Sequence, residues 1–248
     1  AARRFAVMLS GVLASACRGG TAPSPAPAVP DSALLAADVR YLASDALSGR
    51  MTGTPGNDSA RTWIAKRFAA LRLTPIVRPP DCDGCKPGFI QPFVGKSALA
   101  VRAGLPAEMP TGNVVATIRG RDPKLAGQYV IIGAHYDHLG RAGINALDPE
   151  AKDAIRNGAD DNASGVATIL ELARLLKAHP PARSVAIVAF SGEELGLLGS
   201  LWFVSHAPFA MDSVQAMLNF DMVGRLRDDK LMVYGTATAT ELAAIVTQ

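Results

Sequence analysis

Four short clusters carry the residues most able to do chemistry: Gly133-Ala134-His135-Tyr136-Asp137, Gly158-Ala159-Asp160-Asp161-Asn162, Gly192-Glu193-Glu194 and Asn219-Phe220-Asp221. Each follows a hydrophobic run or leads into one. Imidazole nitrogens and carboxylate oxygens are the donors that bind zinc in sites of mixed N/O character. Taken singly, each cluster has a plain structural use. A His-x-Asp is a surface pair, an acid pair before a helix is an N-cap favoured by the helix dipole, and a Glu pair is a solvated face. Four of them in an otherwise apolar half of the chain are improbable as separate coincidences. Burying several carboxylates without a cation would cost several kcal/mol each.

The surrounding pattern explains how these residues could meet. Residues 114–118, 129–134, 184–190 and 216–220 are short apolar or β-branched runs, the pattern of strands covered on both faces. Residues 164–177 and 197–204 have helical spacing, as do 38–47 and 59–71 nearer the start. This alternation predicts an α/β fold: a three-layer sandwich with a mostly parallel or mixed central sheet flanked by helices. Ligands in such sheets gather at the carboxyl ends of the strands. His135, Glu193 with Glu194, and Asp221 each sit just after a strand, and Asp160 lies in the loop before the helix starting near Ser164. Residues 48–57 are dense in turn formers and read as an ordered loop. Residues 74–112, rich in Pro and Gly, read as irregular structure or edge strands. Thr238 and Glu241 have the spacing of a capping box before a last helix at 242–246.

In order and wording, the four clusters resemble the zinc metallopeptidases of the M28 group, and the resemblance runs from about Tyr41-Leu42-Ala43-Ser44-Asp45 onward. It implies a zinc-exopeptidase-like fold and a zinc-dependent exopeptidase, most often an aminopeptidase, with two zinc ions in the full-length chain. By the same resemblance His135 binds one zinc, Asp160 bridges the two, Asp221 completes the first site and Glu194 binds the second. Glu193 is the general base for a metal-bridging water. Asp137 accepts the other ring N–H of His135, as metal-bound histidines usually require. A cis peptide is expected between Asp160 and Asp161.

The family's second zinc takes a further histidine well toward the C-terminus. Among His135, His138, His179 and His206 no such residue is evident, so the second site is read as one ligand short. The chain is expected to be incomplete at the C-terminus, to bind one zinc better than two and to hydrolyse poorly. His138 is read as a loop residue or a support for a ligand. Two other readings compete. A glutaminyl cyclase uses the same fold with one zinc, and the paired acids before Asn162 favour the peptidase over it. A non-catalytic ectodomain of peptidase fold is disfavoured by retention of Glu193 with the ligand set.

The bulk numbers agree with a single large catalytic domain over residues 31–248. The chain has 248 residues, 49% of them hydrophobic, and a net charge of +3. That charge comes from Arg3, Arg4 and Arg18; from residue 31 onward 22 basic and 22 acidic residues cancel. No basic patch remains for nucleic acid, and the partner expected is a peptide substrate. Residues 1–17 read as an export leader: Arg3-Arg4, an apolar stretch too short to span a bilayer, then Cys17. Leu13-Ala14-Ser15-Ala16-Cys17 resembles a lipobox, so either Cys17 carries a lipid anchor or the leader is simply cleaved near Ala16. The expected location is periplasmic or at the cell surface. Residues 18–30 are a Pro-rich tether. Cys82 and Cys85, in an exported chain without a second pair, read as a local disulfide.

Overall fold

All seven residues of Ser184–Phe190 are buried, and they alternate between the two sides of one sheet. Val185, Ile187 and Ala189 join one apolar cluster, while Ala186, Val188 and Phe190 join another, as the two-residue period of a strand requires. The computed structural model describes residues 29–247 apart from 80, 81, 83, 103, 142–145, 149, 152 and 227. The expected leader, Cys17 and all of the tether but residues 29 and 30 lie outside the described residues.

In chain order the main elements are helices α1 (Ser32–Leu42) and α2 (Pro55–Ala70) and strands β1 (Thr74–Pro75) and β2 (Ile90–Gly95). Then come helix α3 (Ala98–Arg102), strands β3 (Met109–Ile118) and β4 (Tyr129–His135), and helix α4 (Gly165–Ala178). Strand β5 (Ser184–Phe190), helix α5 (Leu198–Ser205), strand β6 (Val214–Asn219) and helix α6 (Thr240–Val246) complete the chain. The sheet runs β1-β3-β5-β4-β6, with β2 also paired to β3. β4 is parallel to both β5 and β6, whereas β3 is antiparallel to β5. The expected mixed sheet between helical layers is therefore present. On one face α1, α2 and α4 supply Leu42, Ile64, Phe68, Ile169 and Leu170; each such buried side chain contributes ~1.5–3 kcal/mol. On the other face Phe203 of α5 packs against Val115, Ile131 and Phe190.

Several boundaries differ from expectation for physical reasons. Helix α1 starts at Ser32 because the Asp31 side chain accepts the N–H groups of Ala33 and Leu34, at 2.9 and 3.1 Å. Helix α2 starts at Pro55, where a proline at the first helical position loses no hydrogen bond. Strand β3 begins at Met109, five residues before the expected start at Val114, and takes in Pro110, Thr111 and Gly112 from the stretch read as irregular structure or edge strands. The expected capping box does not form: Thr238 Oγ1 donates to the Gly235 carbonyl at 2.6 Å instead. Cys82 and Cys85 are joined by a disulfide.

Candidate metal centre

The parallel strands β4, β5 and β6 end together, with His135 opposite Phe190 and Gly133 opposite Asn219. That register brings His135, the Glu193–Glu194 turn and Asp221 to one edge of the sheet, as the strand-end rule predicts. The His135 ring is 3% exposed. Its Nε2 lies 3.1 Å from Asp161 Oδ1, 3.5 Å from Asp221 Oδ1 and 4.0 Å from Glu193 Oε2. Its Nδ1 lies 3.2 Å from the Asp137 main-chain carbonyl and 3.7 Å from the Asp137 carboxylate. The expected support of the ring by Asp137 is thus given first by the carbonyl.

Asp160 is not where the resemblance put it. The backbone around Asp161 (φ −102°, ψ 97°) and Asn162 (φ −133°, ψ 41°) is not helical, so successive side chains point to opposite sides. Asp161 alone turns to His135. Asp160 Oδ1 accepts the Gly224 N–H at 2.9 Å and Oδ2 pairs with Arg225 Nε at 2.8 Å. Asn162 Nδ2 donates to the Phe220 carbonyl at 2.9 Å, and Ser164 Oγ accepts the Val223 N–H at 3.1 Å. Asp160, Asn162 and Ser164 therefore clamp the turn that carries Asp221, while Asp161 faces the centre. The cis peptide is Asp161–Asn162, one residue later than expected.

A second group of donors lies beside the first. His138 Nδ1 is 2.6 Å from Glu194 Oε1 and 3.8 Å from Asp161 Oδ2. The two sets His135, Asp161, Asp221 and His138, Asp161, Glu194 each place one atom per residue within 4.8 Å of the others. His206, by contrast, stacks on Trp202, with ring centroids 3.6 Å apart, far from this role.

Behind the donors sits a buried frame. Asp137, wholly buried, accepts the Thr52 hydroxyl at 3.0 Å, the Glu193 N–H at 3.2 Å and the Glu194 N–H at 3.3 Å. Arg50, also wholly buried, donates to the carbonyls of Leu42, Tyr136 (2.9 Å), Asn157 (2.6 Å) and Gly158 (3.0 Å). It ties the loop after β4 to the loop before Asp161. Gly158 has φ +59°, and a Cβ there would lie 2.2 Å from the Asp161 carbonyl oxygen and 2.6 Å from the His138 ring. Ser191, just before the Glu pair, is fixed by Asn113 Oδ1 on its N–H at 3.2 Å and by Thr111 Oγ1 at 2.8 Å from its hydroxyl. Sequence reasoning missed Arg50 and Thr52, which lie in a loop without periodicity. The one available signal was a charged residue among turn formers.

The electrostatics follow from this packing. Burial opposes charge on His135, but the carboxylates of Asp137, Asp161 and Asp221 outweigh it and push its pKa up to about 12. For Asp161 burial is likewise outweighed, by His135, His138 and Arg50, and its pKa falls. Asp137 is lowered too, against burial, by His135 and by the Glu193 N–H and Thr52 hydroxyl. Burial lowers Arg50 to about 10 against the pull of Asp137, Asp161 and Glu194. Glu193 is raised, by burial first and then by Asp137, Glu194 and Asp221, against His135. A pocket of about 150 Å³ opens beside these groups, lined by His135, Glu193 and Asp221 on the polar side and Phe190, Leu197 and Met217 on the apolar side.

A sequence model described as peptidase family M28 matches residues 113–248. A probable zinc metalloprotease of Pyricularia oryzae is 34% identical over 179 residues, covering 72% of this chain and 32% of that protein. Aminopeptidase YwaD of Bacillus subtilis is 44% identical over 96 residues, 38% of this chain and 18% of that protein. The chain spans about a third of the length of the curated relatives it matches over most of its own. Among solved structures, a Zn-dependent exopeptidase from Parabacteroides distasonis superposes with a TM-score of 0.60 at 19% identity, covering 80% of this chain and 64% of that one. A glutaminyl cyclase from Tannerella forsythia does so with a TM-score of 0.60 at 21% identity, covering 79% and 63%. These likenesses establish the zinc-exopeptidase type of α/β fold.

Proposed function

Because the chain belongs to peptidase family M28, we propose that it carries the core of a zinc-dependent exopeptidase, an aminopeptidase, with His135, Asp161 and Asp221 holding zinc and Glu193 as general base. The observation that supports this best is the convergence of those three donors beside Glu193 at one strand-end pocket. The donor set fits the ion. Zn–N and Zn–O bonds of ~2.0–2.2 Å place tetrahedral ligand atoms about 3.4 Å apart. The gaps of 3.1 and 3.5 Å from His135 Nε2 bracket that spacing. Three protein donors leave a position open, as in catalytic sites.

Zinc bound there would polarise a peptide carbonyl and make water more acidic. The rest belongs to the side chains. Glu193, with its raised pKa and half-buried carboxylate, accepts a proton from the attacking water and returns it to the leaving amine. Asp137 fixes the Glu193 main chain and, through its carbonyl, the orientation of His135. Phe190, Leu197 and Met217 favour an apolar side chain on the residue released. We also propose that the protein is exported, on the strength of its leader; fatty-acid labelling of Cys17 would distinguish an anchored form from a cleaved one.

Hydrolysis of leucine p-nitroanilide, abolished by a chelator and restored by zinc, tests this reading. Glu193→Gln should lower turnover on the order of 10²–10⁴-fold while leaving zinc content unchanged. Unaltered turnover would remove Glu193 from the role of base. Pyroglutamate from an N-terminal Gln peptide, without release of an amino acid, would favour the chemistry named for the structurally similar cyclases.

A further inference from the structure

We propose that Gly133 is a specificity-determining residue: having no side chain, it leaves open the floor of the strand-end pocket, so that position 133 sets the largest side chain the pocket accepts. This deepens the exopeptidase reading above and rests on it. Successive side chains of a strand point to opposite faces, and β4 turns Ile131, Gly133 and His135 to the face covered by α5. They are flanked there by Phe190 of β5 and by Met217 and Asn219 of β6. Ile131 and Phe190 belong to the apolar cluster on that face. Along β4 the order is therefore a core side chain, a gap and the imidazole. The gap lies two residues, about 6.6 Å along the strand, from His135. A substrate held at His135 has it within reach of one leucine or phenylalanine side chain.

The atoms around the missing side chain are the walls of the pocket. A Cβ at position 133 would lie 2.7 Å from Phe190 Cε2, 3.2 Å from Met217 Cε and 3.6 Å from Asn219 Oδ1. All three residues line the pocket of about 150 Å³ beside His135 and Glu193. Phe190 has little room to retreat, since it is 5% exposed and meets Phe203 edge to face, with ring centroids 5.8 Å apart. Met217 is half exposed, and its unbranched side chain adapts readily, so it is the wall that gives way. A methyl group at 133 thus takes volume from the floor and displaces a wall. The competing reading is that Gly133 only lets Phe190 settle in the core, in which case its replacement would affect all substrates alike.

Two measurements separate these readings: turnover of phenylalanine, leucine and alanine p-nitroanilides, and calorimetric titration of the zinc-loaded chain with the three free amino acids. In Gly133→Ala, kcat/KM for the phenylalanine and leucine substrates is expected to fall on the order of 10–200-fold further than for the alanine substrate, the range one methylene commands in an apolar pocket. Met217→Ala opens the same floor and is expected to shift preference the other way, toward phenylalanine over leucine. Melting temperature and zinc content report on folding. Should Gly133→Ala not fold, Met217→Ala and the double variant Gly133→Ala/Met217→Ala, which makes room for the added methyl group, decide the matter. An equal loss for all three substrates in a folded Gly133→Ala, or an unchanged ranking in Met217→Ala, would overturn the assignment. So would wild-type binding of the amino acids without regard to size. Size-ranked binding that Gly133→Ala flattens, in a chain that cleaves none of the substrates, would support the assignment while bringing down the exopeptidase reading.

Discussion

The carboxylate of Asp137 accepts the main-chain N–H of Glu193 at 3.2 Å, so a residue two after His135 fixes the main chain of the glutamate proposed as general base. The same carboxylate takes the Glu194 N–H and the Thr52 hydroxyl. One buried group thus ties the Glu193–Glu194 turn to the loop that carries Thr52. An asparagine has a single acceptor oxygen, and its amide must face at least one of these donors. Asp137→Asn should cost on the order of 2–4 kcal/mol of stability and lower kcat more than it raises KM. Urea denaturation read beside steady-state kinetics checks this; an unchanged midpoint with full turnover would show that the frame does not depend on Asp137.

Adjacent acids should respond in opposite ways. Asp161→Asn removes the carboxylate that faces both imidazoles and is expected to abolish tight zinc binding. Asp160→Asn keeps the oxygen that accepts the Gly224 N–H and loses the Arg225 pair, which is exposed on its arginine side. It should retain zinc and lose less than about 1 kcal/mol. Zinc content after dialysis distinguishes them, and loss of zinc in Asp160→Asn alone would reverse the assignment.

That pair also shows where sequence reasoning stops. In Gly158-Ala159-Asp160-Asp161-Asn162 no periodicity separates one acid from the next, and resemblance alone selected the one that the fold turns away from His135. The decision is made by a non-helical backbone at Asp161 and Asn162, which only the fold reveals. Strand β5 was legible to the residue because all of its side chains are buried and those after Ser184 are all apolar. The first half of β3 was not, since Thr111 and Asn113 sit there as buried polar groups that fix Ser191 beneath the Glu pair. Their burial depends on partners more than 70 residues away. Arg50 was hidden for the same reason, its acceptors being carbonyls, which every residue has.

Arg50 should be among the least replaceable residues of the frame. Arg50→Met takes a donor from four carbonyls, of which Gly158 keeps the Ala163 N–H, at ~1–3 kcal/mol for each one left unpaired, and removes a cation near Asp137, Asp161 and Glu194. A loss of about 4 kcal/mol or more is expected. Thermal unfolding measures it, and a shift within error of the wild type would contradict the role assigned to the guanidinium.

Without metal, the charge on His135 should make stability depend on alkaline pH. Its folded pKa of about 12 lies above the unfolded value near 6.5. The stabilisation is therefore complete below about pH 6.5 and declines as pH rises toward 12. The metal-free protein should melt at progressively lower temperature from pH 7 to 10, and His135→Gln should lack most of that slope. Zinc should flatten the wild-type slope, because binding replaces the proton on the ring. A metal-free wild type with no more alkaline sensitivity than His135→Gln would refute it.

The most direct test is anomalous scattering at the zinc edge from crystals grown with zinc. The expected result is a peak ~2.0–2.2 Å from His135 Nε2 and from one carboxylate oxygen each of Asp161 and Asp221. A peak bound by Asp160 instead, or none at the ends of β4 and β6, would contradict the account.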